Sequence, residues 1–180
     1  MAKLSICVFC GARMGKNPAY EQTAKDLGAL IGEQNWRLVY GAGDVGLMGT
    51  VARAAQSAEA ETFGVIPRHL EQAEVGKSDL TEYVVTETMH ERKKRMYEEA
   101  DVVVVLPGGA GSLDEFFEVL TWRQLGLHEK PIYLLNIEGY WDPLVALLDH
   151  VIEQEFAGEN LKDFVQIASG VDALKARLSA

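Results

Sequence analysis

Glu115 stands three residues after Ser112, behind the run Pro107-Gly108-Gly109-Ala110-Gly111, and that spacing is the chain's strongest chemical signal. The run follows Asp101-Val-Val-Val-Val-Leu106, a β-branched apolar stretch that reads as a buried parallel strand. It precedes Phe116–Trp122, which reads as a helix. Glycines let the backbone approach a phosphate, and the first N–H groups of a helix carry partial positive charge. A phosphate cradle with an acid in the first helical turn points to an enzyme acting on a phosphorylated small molecule. The same residues admit a second explanation. Ser-x-x-Glu is a capping box, in which Glu115 would bond back to the Ser112 N–H.

Two further segments have chemical potential. Met89-His-Glu-Arg92-Lys93-Lys-Arg-Met96 is a basic run in an acidic chain. On a helix, Met89, Arg92, Lys93, Met96 and Ala100 share one stripe, whereas Lys94 and Arg95 lie elsewhere. Cations on an apolar stripe are costly in a dry core. Arg92, and with it Lys93, therefore reads as lining a pocket that holds an anion. Gly41-Ala42-Gly43-Asp44-Val45-Gly46 fits G-x-G-x-x-G. A dinucleotide site would want an acid at the end of the next strand, about 20 residues on. That strand ends in Pro67-Arg68 instead. Nucleotide or phosphate contact, or simply a tight turn, fits these glycines better than NAD, and Arg68 is the residue that would meet the 2′-phosphate of NADP.

These segments need a frame. Strand-like runs fall at Leu4–Phe9, Arg37–Tyr40, Thr62–Ile66, Tyr83–Thr86, Val102–Leu106, Ile132–Leu135 and Phe164–Ile167. Helical patterns fall between and after them, at Ala19–Glu33, Leu47–Ala58, Met89–Ala100, Leu113–Leu125, Pro143–Phe156 and Val171–Leu178. This alternation predicts an α/β, doubly wound, mostly parallel sheet of about seven strands with helices on both faces. Residues 1–180 read as a single domain. In such sheets ligands bind beyond the carboxyl ends of the strands. The turns Cys10–Gly15, Gly41–Gly46 and Pro107–Ser112 would converge there, with Pro67–Leu80 as a flap.

Composition narrows the function classes. Acidic residues outnumber basic ones by 27 to 17, a net charge of −10, which argues against a nucleic-acid partner or an anionic membrane surface. No apolar run reaches the roughly 18 residues of a membrane span, and the amino terminus reads as a first strand rather than a signal peptide. A cytoplasmic location is expected. Cys7 and Cys10 have C-x-x-C spacing, but at a strand end rather than a helix start, and read as free thiols. Four histidines show no ligand spacing, so no metal site is expected.

Val8-Phe-Cys-Gly11, Leu38-Val-Tyr-Gly-Ala-Gly43, Val45-Gly-Leu-Met-Gly49, Gly64-Val-Ile-Pro67, Met89-His-Glu-Arg-Lys93, Pro107–Glu115 and Leu120-Thr-Trp-Arg-Gln-Leu-Gly126 together resemble the Lonely Guy family, the cytokinin riboside 5′-monophosphate phosphoribohydrolases. The paired motifs R-K-x-x-M and P-G-G-x-G-T-x-x-E carry the likeness, the second with Ser112 for threonine. The resemblance implies a Rossmann-like fold, a homodimer, and hydrolysis of the N-glycosidic bond of a nucleoside 5′-monophosphate without a metal or organic cofactor. It places the catalytic pair on Arg92 and Glu115. It places substrate contacts on Gly11, Ala12, Gly41, Gly43, Met89, Lys93, Gly108, Gly109, Gly111 and Ser112. Ala12 stands where serine is common, and Ala42 interrupts a triple glycine. The lysine-decarboxylase label that members have carried would need a Schiff-base lysine for pyridoxal phosphate, and no such constellation stands out. The rival readings are a nucleotide-binding sensor without turnover and an NADP-linked oxidoreductase built on Gly41–Gly46.

Overall fold

A computed structural model describes residues 3–179. The chain alternates strands and helices as its hydrophobic periods predict. In order these are β1 (Ser5–Phe9), α1 (Pro18–Glu33), β2 (Arg37–Tyr40), α2 (Gly46–Ser57), β3 (Glu61–Pro67), β4 (Glu82–Thr86) and α3 (Met89–Glu98). There follow β5 (Val102–Val105), α4 (Ala110–Gln124), β6 (Ile132–Leu135), α5 (Asp142–Glu153), β7 (Val165–Ala168) and α6 (Val171–Leu178). The strands form one sheet in the order β4-β3-β2-β1-β5-β6-β7, and every pairing is parallel rather than mostly so.

The all-parallel arrangement follows from the strand sequences. Val102–Val105 is buried throughout, as a strand covered on both faces must be. On one face Ile6, Val8 and Cys10 meet α1, α2 and α6 through Leu27, Val51 and Leu174. On the other, Cys7 and Phe9 meet α3, α4 and α5 through Met96, Phe116 and Leu144. Strand alternation thus sends the two cysteines into different cores, and both are free thiols. Local signals set the helix starts. Asn17 caps α1 by accepting from the Ala19 N–H at 2.9 Å, with Pro18 next. Thr88 and Glu91 form a reciprocal capping box on α3.

The strand order reverses between β1 and β5, which is where such sheets open a ligand crevice. The segments leaving these two strands are tied together: Leu106 N–H donates to Phe9 O at 2.9 Å and Gly11 N–H to Pro107 O at 3.0 Å. The first and last glycine turns are therefore one piece of structure.

The start of α4 differs from the sequence expectation. The helix begins at Ala110 with Gly109 as its N-cap, not at Leu113, and no side chain caps it. Ser112 and Glu115 both lie inside the helix, so the capping-box explanation of that pair does not hold.

Candidate active site

A cavity of about 460 Å³ opens at the β1–β5 crevice, within the range of small-molecule sites. Its wall includes Gly11, Ala12, Gly41, Met89, Arg92, Gly108, Gly109, Gly111, Ser112 and Glu115. Sequence reasoning singled out all ten. It also singled out Gly43 and Lys93, which lie behind the wall. Gly43 pairs with Gly76 in an isolated antiparallel bridge. Lys93 is buried, and its ammonium is taken up by Asp114 at 3.0 Å and Glu118 at 2.5 Å. The helical stripe buries Lys93 and so calls for an anion beside it, but the anions are two carboxylates of α4 rather than a pocket ligand.

The first turn of α4 has the make-up of an anion cradle. An uncapped helix start leaves the N–H groups of Ala110, Gly111 and Ser112 without intrahelical acceptors. Those groups and the macrodipole favour an anion there. Gly108 is required by the fold, because a Cβ at that position would stand 2.1 Å from Ser112 Oγ. Gly109 and Gly111 are not, since a Cβ on either would meet nothing within 4 Å. Their bareness leaves space for a ligand. Tyr140 steadies the turn by donating its hydroxyl to Gly108 O at 2.5 Å, and packs edge-on against Tyr20, 5.4 Å between ring centroids.

Glu115 follows one turn further along α4, half-buried and facing the cavity. Burial pushes its carboxyl up to about 7, with Arg92 opposing the rise and Glu74 and Asp114 adding to it. A carboxyl poised there can be ionised and still accept a proton near neutral pH. Cys10, at the end of β1, also lines the cavity. Burial and then the Glu115 charge push its thiol far above the usual range, so it is no nucleophile at neutral pH.

Arg92 is 3% exposed. Its Nε donates to Val65 O at 3.0 Å, and its Nη2 to Gly41 O at 2.6 Å and to Glu74 Oε2 at 2.7 Å. Nη1 has no partner among the described residues. The guanidinium explains Gly41, where a Cβ would stand 2.2 Å from Nη2. The first glycine of G-x-G-x-x-G thus makes room for an arginine rather than a pyrophosphate. Arg68, the candidate for an NADP 2′-phosphate, pairs with Glu87 on the exposed surface and is not in the cavity wall.

Glu74 was missed from sequence. It sits in the irregular 67–80 stretch, which the sequence marks as a flap while singling out only Arg68 within it. Asp44 N–H donates to Glu74 O at 2.9 Å and Lys77 N–H to Ala42 O at 2.8 Å, so the stretch is laced to the Gly41–Gly46 turn. Among the described residues no group of histidine, cysteine or acidic side chains could hold a metal ion.

The family model described as "Possible lysine decarboxylase" matches residues 48–178. The chain is similar to the probable cytokinin riboside 5′-monophosphate phosphoribohydrolase LOGL6 of Oryza sativa subsp. japonica, at 39% identity over 97% of this chain and 70% of that protein. It is similar to the cytokinin riboside 5′-monophosphate phosphoribohydrolase LOG3 of Arabidopsis thaliana, at 38% identity over 96% of this chain and 80% of that one. Among solved structures, the molybdenum cofactor binding protein of Rippkaea orientalis superposes with a TM-score of 0.74 at 25% identity, covering 99% of this chain and 97% of that one. The Moco carrier protein of Chlamydomonas, at 22% identity and a TM-score of 0.73 over 99% of this chain and 97% of that one, shares the fold.

Proposed function

Because the chain belongs to the Lonely Guy family of cytokinin riboside 5′-monophosphate phosphoribohydrolases, we propose that it hydrolyses the N-glycosidic bond of a nucleoside 5′-monophosphate to free base and ribose 5-phosphate. One observation carries the reading. A carboxyl held near 7 faces the cavity one helical turn from an uncapped, glycine-lined helix start.

The chemistry follows from that juxtaposition. The 5′-phosphate sits on the N–H groups of Ala110–Ser112, which places the ribose toward Glu115. As the C1′–N bond breaks, the electron pair leaves with the base and positive charge develops on the sugar. Ionised Glu115 stabilises that charge and takes a proton from the attacking water, whose oxygen bonds to C1′; the departing base takes up a proton from solvent to become the free base, and Glu115 gives its proton back to solvent. Arg92 holds Glu74 and the Gly41 turn in place and offers Nη1 to the substrate. Leu47, Met48, Leu70 and Met89 form an apolar side of the cavity that suits a purine, either adenine or an adenine carrying an apolar N6 group. The chemistry needs no metal or organic cofactor.

The chain works as one domain in the cytoplasm and as a homodimer. No described helix is long and apolar enough to cross a membrane. Trp122 and Arg123, interface-enriched types, are engaged within the chain: Trp122 packs on Tyr97, and Arg123 donates to His128 O at 3.1 Å. The exposed Phe117, Leu125 and Leu127, on and just beyond α4, are the better interface candidates.

Base release from a panel of nucleoside monophosphates and their nucleosides, followed by chromatography, tests the reading. Cleavage of monophosphates far ahead of nucleosides is expected. Equal rates would remove the phosphate role of α4. Tight binding without base release would favour the sensor reading, to which the cofactor-binding neighbour from Rippkaea orientalis gives some support.

A further inference from the structure

We infer that Arg13, on the loop between β1 and α1, is the cation that neutralises the substrate's phosphate, and so sets the preference for phosphorylated over unphosphorylated ligands. The inference rests on the proposed hydrolase reading for the identity of the ligand.

The charge inventory of the cavity leads to it. Two cations lie in the wall, Arg92 and Arg13. The first is committed: two backbone carbonyls and Glu74 occupy its Nε and Nη2. Two carboxylates, Glu74 and Glu115, share the same wall. The cradle itself offers neutral N–H groups and a hydroxyl. A phosphate dianion entering this site would face two acids inside a chain of net charge −10. A positive group at the phosphate end is what the site otherwise lacks.

Arg13 meets that need by position and by freedom. Its loop lies directly on the phosphate turn. Gly11 N–H donates to Pro107 O at 3.0 Å, and a Cβ at Gly11 would stand 3.3 Å from Gly108 Cα and 3.2 Å from Arg13 O. The loop is pinned from below as well, because Leu47 N–H donates to Gly11 O at 3.0 Å and Gly46 packs against the Ala12–Arg13 peptide. The backbone of Arg13 is thus fixed beside the cradle. Its side chain is exposed and has no ion pair or hydrogen bond to the described residues. An arginine on a fixed base with a free, planar fork of donors suits the capture of a phosphate at a cavity mouth. Ala12 beside it has no hydroxyl to offer, and Lys16 further along the loop is outside the cavity wall, so Arg13 is the charged side chain this loop brings to the cavity.

The test uses the full-length protein with Arg13→Ala, Arg13→Lys and Arg13→Glu. Calorimetry with ribose 5-phosphate reads phosphate binding directly, and steady-state kinetics on AMP and adenosine read its use. In Arg13→Ala, the ribose 5-phosphate Kd and the AMP KM should rise about tenfold or more, the scale of a lost charge-assisted contact. Turnover at saturation should stay within about threefold, because the contact is the same in ground and transition states. Arg13→Lys should recover part of the loss, Arg13→Glu should exceed it, and adenosine binding should not move. The wild-type KM for AMP should rise with salt more steeply than that of Arg13→Ala. An unchanged Kd for ribose 5-phosphate in Arg13→Ala overturns the inference, as does a fall in turnover with KM unchanged. The titration judges Arg13 even where no base is released from any nucleotide, an outcome that would sink the hydrolase reading alone.

Discussion

Gly41 and Arg92 occupy one space. Arg92 Nη2 donates to Gly41 O at 2.6 Å, and a methyl group at position 41 would stand 2.2 Å from that same nitrogen. Gly41→Ala therefore has to push the guanidinium away from both Gly41 O and Glu74. Overpacking of this kind costs about 1–3 kcal/mol. Turnover should fall roughly tenfold or more as the group beside Glu115 is displaced. Chemical denaturation and steady-state kinetics on one sample check both. An alanine variant with wild-type stability and activity would show that the arginine has other room.

The glycines of the α4 turn predict the opposite sign for stability. Gly111 lies in the first turn of α4, and a Cβ there meets nothing within 4 Å. Gly111→Ala should raise the stability of the free protein by up to about 1 kcal/mol through helix propensity alone. The same methyl group should intrude on a phosphate seated on that turn and raise KM for AMP several-fold. Thermal melts without ligand and with ribose 5-phosphate separate the effects: the variant should melt higher alone and gain less from the ligand. A ligand-induced shift as large as the wild type's would move the phosphate off this turn.

The placement of these groups shows which features a sequence can carry. The strands were legible because Val102–Val105 and its neighbours are short β-branched runs bounded by turns, and a strand buried on both faces can hardly be written otherwise. Gly108, Arg92 and Glu115 were legible because a local pattern marks each: a glycine turn after a strand, a cation on an apolar helical stripe, and an acid just after the glycine turn. The start of α4 was not, since each glycine argues against a helix by about 1 kcal/mol and the observed start has no side-chain cap to announce it. Glu74 was not, because its significance is a contact with a residue 18 positions away, brought close only when the 67–80 stretch folds over the β2 turn. Lys93 was half legible: its burial was forced by the helical stripe, but nothing local says whether a phosphate or Asp114 and Glu118 balance it.

Lys93 is accordingly expected to hold α3 against α4 rather than to touch substrate. Removing its ammonium in Lys93→Met leaves Asp114 and Glu118 to repel each other one turn apart. The loss should be about 1–3 kcal/mol, below the figure for fully buried pairs because Asp114 is 59% exposed. Since α3 carries Arg92 and α4 carries Glu115, turnover should drop with little change in KM, and Lys93→Arg should restore part of it. A KM effect with intact stability would return Lys93 to the substrate-contact set.

Glu115 gives a prediction in which stability and catalysis move in opposite directions. Burial raises its carboxyl from an ordinary 4.5 to about 7. Below pH 4.5 the group is protonated in both folded and unfolded chains and contributes no difference. Between 4.5 and 7 the unfolded chain ionises while the folded one retains its proton, so stability falls as pH rises. Above 7 both are ionised and the penalty stays constant. Glu115→Gln keeps the shape and removes the charge. It should match the wild type near pH 4 and be more stable at pH 8, by on the order of 1 kcal/mol once the full linkage value is discounted for the group's exposure to the cavity. The proposed mechanism needs the ionised form, so wild-type turnover should rise through pH 7 to a plateau, with the limb shifted upward when nucleotide phosphate is bound nearby. Glu115→Gln should lose roughly 10²-fold or more in turnover and with it the limb, while its Kd for ribose 5-phosphate stays near that of wild type. Melting curves at pH 4 and 8, beside a pH profile of turnover, decide the matter. A Glu115→Gln protein that is no more stable at pH 8, yet inactive, would keep the catalytic role and discard the raised carboxyl. One that is more stable and still active would show that the carboxyl is buried there for no catalytic reason.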